Sequence, residues 1–311
     1  MAAATHLNLS GSICALATPF RGDRAADLDL EAFGRLIDHQ LAGGTSALVV
    51  AGSTGEAAAL DEIEFSRLVE FAVVRVEHRV PVLAGSGQQS TRKTVAQTRR
   101  AQVAGCDAAL VVVPPYVRAT QEGLYRHFSE VAEEGGLPVV LYNVPTRTAG
   151  NLDPATTARL ARHGNIVGIK EAVAEPVRMQ ELLELRNEHF GVLSGDDATA
   201  ARAMLSGADG VVSVAANLAP QAMATLAKLC AKGRSEQAME CHHALQELYD
   251  LLGIESNPIP LKWCLARIGF GQEQLRLPLV TLSPEGQRIA ARVLAKLELI
   301  EVARACDKLR E

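Results

Sequence analysis

Short apolar runs rich in β-branched residues recur along the chain, and each is followed by a longer stretch with apolar residues at helical spacing. This pattern predicts eight strands, at residues 13–18, 47–51, 80–84, 108–113, 138–143, 166–170, 190–194 and 210–214. Continuous apolar strands that alternate with helices are typical of a parallel sheet with both faces covered. Eight such units in 311 residues predict an α/β fold of the closed (β/α)8 TIM-barrel type rather than an open doubly wound sheet.

The pattern becomes wholly helical after residue 214. Helices are predicted between the strands at residues 28–42, 63–77, 91–104, 121–134, 154–163, 176–188 and 197–205, and after them at 220–232, 235–252, 260–268 and 283–308. We therefore expect a barrel over residues 1–230 and a C-terminal helical region over residues 231–311.

Composition narrows the classes of protein. The chain is 48% hydrophobic and 22% charged, which excludes disordered, collagen-like and coiled-coil proteins. A net charge of -5 argues against nucleic acid or an anionic membrane as a partner, because both attract clustered cations. The longest apolar runs are far shorter than the roughly 20 residues of a spanning helix, and residues 1–10 lack the pattern of a signal peptide. Six cysteines without a Cys-x-x-Cys pair indicate no zinc or redox motif, and a cytoplasmic location is expected.

Lys170 ends the sixth predicted strand, and barrels of this type carry their chemistry at the carboxyl ends of the strands. Strict alternation places Ile166, Gly168 and Lys170 on one face, so Gly168 leaves room beneath the lysine stem if that face is the interior. A pocket of low dielectric constant favours the neutral amine, which can attack a ketone and form a Schiff base. The alternative is a strand-end lysine that reaches solvent or pairs with Glu171.

Tyr142 ends the neighbouring fifth strand. Adjacent strands lie about 4.8 Å apart, so an inward-facing Tyr142 and Lys170 could reach one substrate. A phenol both donates and accepts protons, as Schiff-base chemistry requires. The alternative is a core tyrosine whose hydroxyl is hydrogen-bonded within the protein.

Hydroxyls, carboxylates and a guanidinium follow three of the strands. Ser53 and Thr54 lie in a Gly-flanked turn where backbone N–H groups and a helix dipole would help them hold a carboxylate; the alternative is that they cap the next helix. Arg147 is suited to a bidentate contact with a carboxylate, although a loop arginine is often simply solvated. Asp196 and Asp197 are expected to be helix caps.

Five segments together resemble the signatures of the dihydrodipicolinate synthase family. They are residues 52–56 (Gly-Ser-Thr-Gly-Glu), 142–148 (Tyr-Asn-Val-Pro-Thr-Arg-Thr), 168–172 (Gly-Ile-Lys-Glu-Ala), 194–197 (Ser-Gly-Asp-Asp) and 257–263 (Asn-Pro-Ile-Pro-Leu-Lys-Trp). The Gly-x-Lys and Tyr-Asn-x-Pro motifs are similar to those of the wider pyruvate-dependent class I aldolases, which include N-acetylneuraminate lyase. Arg147 and residues 257–263 narrow the resemblance to the synthase.

The resemblance implies an enzyme of lysine biosynthesis, through diaminopimelate, that condenses pyruvate with L-aspartate 4-semialdehyde to give 4-hydroxy-tetrahydrodipicolinate. It also implies a homotetramer, built as a dimer of dimers, without metal or organic cofactor. By the same resemblance Thr54 holds the carboxylate of pyruvate, Gly195 and Val212 line the imine pocket through their backbones, and Arg147 binds the carboxylate of the second substrate.

The resemblance assigns the catalytic roles as well. Lys170 forms the imine with pyruvate, Tyr142 transfers the proton, and Ser53 stands where the family usually has a relay threonine. The family usually has two tyrosines after the proline of the fourth strand, the second of which reaches a neighbouring subunit's site. This chain has one, Tyr116, which is either the relay tyrosine or its neighbour at the interface.

Two other functions stay open. A sister class I aldolase that acts on a sugar-derived or aromatic 2-oxo acid would share Lys170 and Tyr142, but such enzymes tend to lack the arginine found here at Arg147. A non-catalytic barrel that binds a small molecule is the third interpretation, and the intact lysine and tyrosine argue against it.

Lysine-inhibited members of the family bind L-lysine in a cleft between paired subunits. At the matching positions this chain has Ala57, Ala58, Glu62, Phe65, Gln89 and Lys93. Lys93 puts a cation where the ammonium group of the ligand needs an anion, so we expect the protein to be insensitive to L-lysine.

Overall fold

Eight parallel strands form a closed barrel in which each strand pairs with its neighbours along the chain and the first also pairs with the eighth. The computed structural model describes residue 7 and residues 9–307. The barrel strands, β1 to β8, are Gly11–Ala15, Ala47–Val50, Val82–Gly85, Ala108–Val112, Val139–Asn143, Ile166–Glu171, Gly191–Ser194 and Gly210–Ser213. The predicted (β/α)8 barrel is confirmed.

Helices cover the outside of the barrel. The helices α1 to α8 are Leu30–Ala42, Glu62–Val76, Thr91–Val103, Gln121–Glu134, Pro154–Leu160, Pro176–Leu183, Asp197–Leu205 and Pro220–Ala231. The C-terminal appendage contains α9 to α12, at Ser235–Ala244, Gln246–Leu252, Ile259–Arg267 and Pro284–Asp307. Lys308, the last residue of the predicted final helix, lies outside the described residues. Among the helices of the described chain, none is long and apolar enough to cross a membrane.

The barrel interior is filled by side chains that alternate along the strands. Ile13, Val49, Leu110, Val140 and Val212 belong to this inner cluster, and each is at most 3% exposed. A larger cluster lies between the outer strand faces and the helices. Because the interior is packed with apolar atoms, a polar ligand is expected to bind at the strand ends.

The pairing of β5 with β6 contains an irregularity. Val139 pairs with Ile166, but the next residue, Val140, pairs with Gly168, so β6 has one extra residue. Strict alternation is therefore wrong for the first part of β6, where Ile166 packs in the helix-side cluster and Val167 contacts the inner cluster. Such a bulge redirects the side chains that follow it.

Two predicted helices differ most from the structure. The predicted helix over 235–252 is two helices, because the N–H of the buried Leu245 donates to the carbonyl oxygen of His242 and tightens the chain into a turn. The predicted helix over 176–188 ends at Leu183. Here the Oδ1 atom of Asn187 accepts hydrogen bonds from the N–H groups of His189 and Phe190 and turns the chain into β7.

Candidate active site

Tyr142 and Lys170 lie side by side at the carboxyl ends of β5 and β6. They are register partners, they are 7% and 6% exposed, and the Lys170 Nζ atom lies 4.1 Å from the centroid of the Tyr142 ring. The alternative of a solvent-facing lysine is excluded because the side chain is buried. Pairing with Glu171 is excluded as well, since that carboxylate is bound to Arg178.

Space for the lysine stem comes from the end of β7. A Cβ atom at Gly195 would lie 2.9 Å from Cε and 3.0 Å from Cγ of Lys170, so a larger residue would displace the stem. The expectation that Gly168 leaves room beneath the stem stays a prediction, because the atoms nearest to its position belong to Gly191. A Cβ atom there would lie 2.7 Å from the carbonyl oxygen of Gly191, so Gly168 allows β6 to approach β7 closely.

A network on the outer face of the sheet braces the same two strand ends. Asn143 Nδ2 donates to both carboxylate oxygens of Glu171 at 3.1 Å, and Arg178 Nε donates to the same carboxylate at 2.8 Å. Burial raises the pKa of Glu171 above its ordinary value, and the Arg178 guanidinium counteracts this rise. Because Asn143 and Glu171 directly follow the tyrosine and the lysine, their hydrogen bonds oppose a slip of the register between them.

The loop after β2 presents Ser53 and Thr54. Thr54 is 4% exposed, and its Oγ1 atom accepts a hydrogen bond from Asn257 Nδ2 at 3.0 Å, whereas Ser53 is half-buried. The interpretation that these residues cap the next helix is wrong, since α2 begins at Glu62 and is capped by Asp61. The dipole of α2 therefore does not act directly at Ser53 and Thr54.

Arg147 lies in a short helical turn, Pro145–Thr148, directly after β5. Its side chain is exposed, and its Nη2 atom donates to the carbonyl oxygen of Asn257 at 3.1 Å. Asn257 therefore contacts both Thr54 and Arg147. The sequence pattern does not indicate this link, because residues 257–263 stand out only as a family signature.

A cavity of about 530 Å³ opens at this end of the barrel. Three of the predicted site residues line it: Ser53, Tyr142 and Arg147. Lys170 and Thr54 are not part of the wall, but each contacts a residue that is, Tyr142 and Asn257 respectively. Among the described side chains, no group of three or more His, Cys, Asp or Glu residues could hold a metal ion.

The remaining predicted residues differ in their placement. Val212 is 1% exposed in the inner cluster, whereas Tyr116 is 87% exposed and does not line the cavity. Tyr116 also has a φ angle of 75°, in the left-handed region that favours glycine. The single chain therefore does not bring the Tyr116 phenol to the cavity.

The two aspartates after β7 have separate partners. Asp196 caps α7, as predicted, by accepting a hydrogen bond from the N–H of Thr199 at 3.0 Å. Asp197 accepts instead from the N–H groups of Val214 and Ala215, so its predicted capping role is wrong. Its carboxylate ties the start of α7 to the end of β8.

A closed parallel barrel with a buried lysine and a tyrosine adjacent at the carboxyl ends of its strands is typical of lyases and aldolases that act through a lysine Schiff base. The chain belongs to the dihydrodipicolinate synthetase family, whose model matches residues 8–297. The family predicted from the sequence is thereby confirmed, together with the class of enzyme.

Individual relatives match nearly the whole chain. A 4-hydroxy-tetrahydrodipicolinate synthase of Xanthomonas axonopodis pv. citri is 54% identical over 303 residues, which cover 97% of this chain and 99% of the relative. Among solved structures, dihydrodipicolinate synthase from Aquifex aeolicus is 40% identical, with a TM-score of 0.91 over 94% of this chain and 99% of that chain. The enzyme from Acinetobacter baumannii, complexed with pyruvate, is 39% identical, with a TM-score of 0.90 over 92% and 98%.

Proposed function

We propose that the protein condenses pyruvate with L-aspartate 4-semialdehyde through a Schiff base on Lys170 and gives 4-hydroxy-tetrahydrodipicolinate. The observation that carries the proposal is the buried Lys170–Tyr142 pair at the mouth of the barrel. A relative that is 54% identical over nearly the full length is named as this synthase. In this role the protein performs one step of lysine biosynthesis in the cytoplasm.

Imine formation is the first half of the reaction. The Lys170 amine attacks the ketone carbon of pyruvate, and water leaves as the carbon–nitrogen double bond forms. Tyr142, which contacts the amine, gives a proton to the departing hydroxyl and takes one from the nitrogen, and Ser53 continues the proton relay. Loss of a proton from the pyruvate methyl group then gives an enamine.

Carbon–carbon bond formation is the second half. The enamine carbon attacks the aldehyde carbon of the semialdehyde, and the aldehyde oxygen takes a proton. The amino group of the second substrate then replaces the Lys170 nitrogen at the imine carbon, which closes the ring and releases the lysine. In sum, pyruvate and the semialdehyde give the cyclic product and one water. One proton is also released, because the ammonium group of the semialdehyde ends as a neutral imine nitrogen, and the lysine returns to its starting state.

Carboxylate recognition is divided between two loops. The Thr54 hydroxyl holds the carboxylate of pyruvate, and the backbones of Gly195 and Val212 line the imine. Arg147 binds the carboxylate of the semialdehyde; its exposed guanidinium at the cavity wall supports this role.

The exposed Tyr116 supports an assembly in which subunits share their sites. Its phenol completes the relay in a neighbouring subunit of a homotetramer, a dimer of dimers. Within each subunit, residues 1–230 are the catalytic barrel and residues 231–311 the helical region. Sedimentation velocity tests the tetramer, because a monomeric protein with full activity would contradict this role of Tyr116.

Borohydride trapping tests the chemistry. Pyruvate and borohydride together should inactivate the protein, and peptide mass spectrometry should place the reduced adduct on Lys170. Lys170→Arg should abolish trapping, because a guanidinium has no free lone pair, whereas Lys232→Arg on the surface should trap as the wild type does. An adduct on another lysine, or no adduct, contradicts the mechanism.

A coupled assay tests the identity of the second substrate. Product should form from pyruvate and L-aspartate 4-semialdehyde.

A further inference from the structure

A buried ion pair is formed by Glu56, which belongs to the same loop as Ser53 and Thr54 and lines the cavity with Ser53. Glu56 Oε1 accepts a hydrogen bond from Lys262 Nζ at 2.6 Å, and the two side chains are 1% and 2% exposed. Lys262 belongs to α11 in the C-terminal appendage. Removing two charges from water is costly, so such a pair is weak support for stability in itself.

Glu56 has an unusual backbone conformation. Its φ and ψ angles are 53° and 39°, in the left-handed region where a glycine carries no steric penalty. A residue with a side chain is strained there. Such a conformation persists where surrounding contacts hold it, and the Glu56 carboxylate makes contacts of this kind with Lys262 and Arg276.

Both oxygens of the Glu56 carboxylate have partners from the C-terminal part of the chain. The N–H of Arg276 donates to Oε2 at 3.0 Å, while the Arg276 guanidinium binds Glu64 and the carbonyl oxygen of Ala59. Burial lowers the pKa of Lys262 to about 8, and the Glu56 carboxylate opposes this change. The segment from α11 to Arg276 therefore binds the end of the loop that carries Ser53 and Thr54, through the Glu56 carboxylate.

A second contact comes from the same part of the chain. Asn257, just before α11, donates to Thr54 Oγ1. From the N-terminal part of the chain, Thr18 Oγ1 donates to the carbonyl oxygen of Gly55 at 2.8 Å. Thr54 and Glu56 are thus bound to a single segment at two points.

We propose that Glu56 and Lys262 are positioning residues that hold Thr54 in the geometry needed to bind the carboxylate of pyruvate. They act through Thr54, and the assignment rests on the proposed function. The C-terminal appendage is on this view part of the pyruvate site, although its Lys262 amine is engaged by Glu56 rather than by substrate.

Substitution of Glu56 by glycine separates a positioning role from a structural one. Glu56→Gly removes the carboxylate and relieves the backbone strain, and Glu77→Gly relieves equivalent strain at an exposed left-handed residue at the end of α2. The readout is borohydride trapping as a function of pyruvate concentration. In Glu56→Gly the half-saturating pyruvate concentration should rise about tenfold, equivalent to about 1.4 kcal/mol, with the trapping rate at saturation within about twofold of wild type. Glu77→Gly should bind pyruvate as the wild type does.

A second variant covers the case in which Glu56→Gly does not fold. Glu56→Gln/Lys262→Met removes both buried charges and keeps the volume, so no uncompensated charge is left inside. It should show the same rise in half-saturating pyruvate. A half-saturating concentration within twofold of wild type in either folded variant overturns the inference, even if the melting temperature falls. Failure of the wild type to trap pyruvate at all would instead contradict the proposed function.

Discussion

The two halves of the candidate site are built in different ways. Tyr142 and Lys170 lie on adjacent strands, and the outward hydrogen bonds of Asn143 and Glu171 keep those strands in register. Thr54 lies in a loop and Arg147 in a short helical turn, and both are bound by Asn257, which follows Arg147 by 110 positions and Thr54 by 203. Pairing within the barrel positions the first half, and contacts with the C-terminal region position the second.

This difference matches two chemical tasks. Reacting groups need a fixed separation, and adjacent strands of a closed barrel provide one. Carboxylate recognition tolerates more variation, and loops on a rigid scaffold provide it. Changes in the strand half should therefore act mainly on kcat, and changes in the loop half mainly on KM.

Tyr142→Phe should have the largest effect on activity, because it removes a reacting group from the strand half of the site, formed by Tyr142 and Lys170. Loss of the phenolic proton should lower kcat by about 100- to 10,000-fold, the range expected for general acid–base catalysis. The KM for pyruvate should change by less than about threefold, because the loop contacts remain. Steady-state kinetics measure both, with Tyr125→Phe on α4 as the control. A rise in KM that exceeds the fall in kcat would place Tyr142 in binding rather than proton transfer.

Arg147→Ala should remove carboxylate recognition from the other half of the site, formed by Thr54 and Arg147. Loss of a charged contact should lower kcat/KM for the semialdehyde by about 2 to 4 kcal/mol, or roughly 30- to 1,000-fold. Half-saturating pyruvate in the trapping experiment should not change. Arg162→Ala, at an exposed arginine after α5, is the control and should leave both values unaltered. Equal losses for the two substrates would mean that Arg147 is structural.

Acid stability should depend on a residue outside both halves. His127 on α4 is 5% exposed, and burial lowers its pKa to about 4. Between pH 6.5 and 4 the unfolded chain binds a proton there and the folded chain does not, so the free energy of unfolding should fall with pH across this window by up to about 3 kcal/mol. His127→Gln should remove this component in denaturant titrations. His78→Gln, at an exposed site, should retain it; parallel curves for all three proteins would contradict the assignment.

Tyr116→Phe tests whether the phenol of Tyr116, supplied by a neighbouring subunit, takes part in the proton relay together with Tyr142. We expect kcat to fall by about tenfold or more, as for a member of a proton relay. The matched change Val117→Ala, at the exposed neighbouring residue, should leave kcat near the wild-type value. A kcat for Tyr116→Phe within threefold of wild type would remove this residue from the relay.

L-Lysine should not inhibit the activity to which both halves of the site contribute. Lys93 is exposed on α3, and Glu62, the acid that could offset its charge, is engaged in an ion pair with Arg100. Phe65 is 1% exposed in the core and cannot line an open cleft. Half-inhibition below about 1 mM, equivalent to roughly 4 kcal/mol of binding, would show that the cleft still binds the amino acid. The titration needs only the wild-type protein.

Local patterns of the sequence by themselves determined the barrel and most of its reactive residues. Strand and helix have different hydrophobic periods, so the alternation of the two is visible without any long-range information. Lys170 and Tyr142 each close an apolar run, and barrels of this type present such positions at one end. The lysine and tyrosine of the site could therefore be named before their contacts were known.

Only the tertiary structure decided how these residues meet. The extra residue in β6 sets Lys170 opposite Tyr142, and Gly195, which follows β7, leaves room for the lysine stem. The contact of Asn257 with Thr54 joins segments that share no local pattern, and so does that of Lys262 with Glu56. The register of two strands and a contact between residues 200 positions apart both depend on the relative position of two segments. Neither changes the hydrophobic period within a segment, so neither can be read from the local sequence.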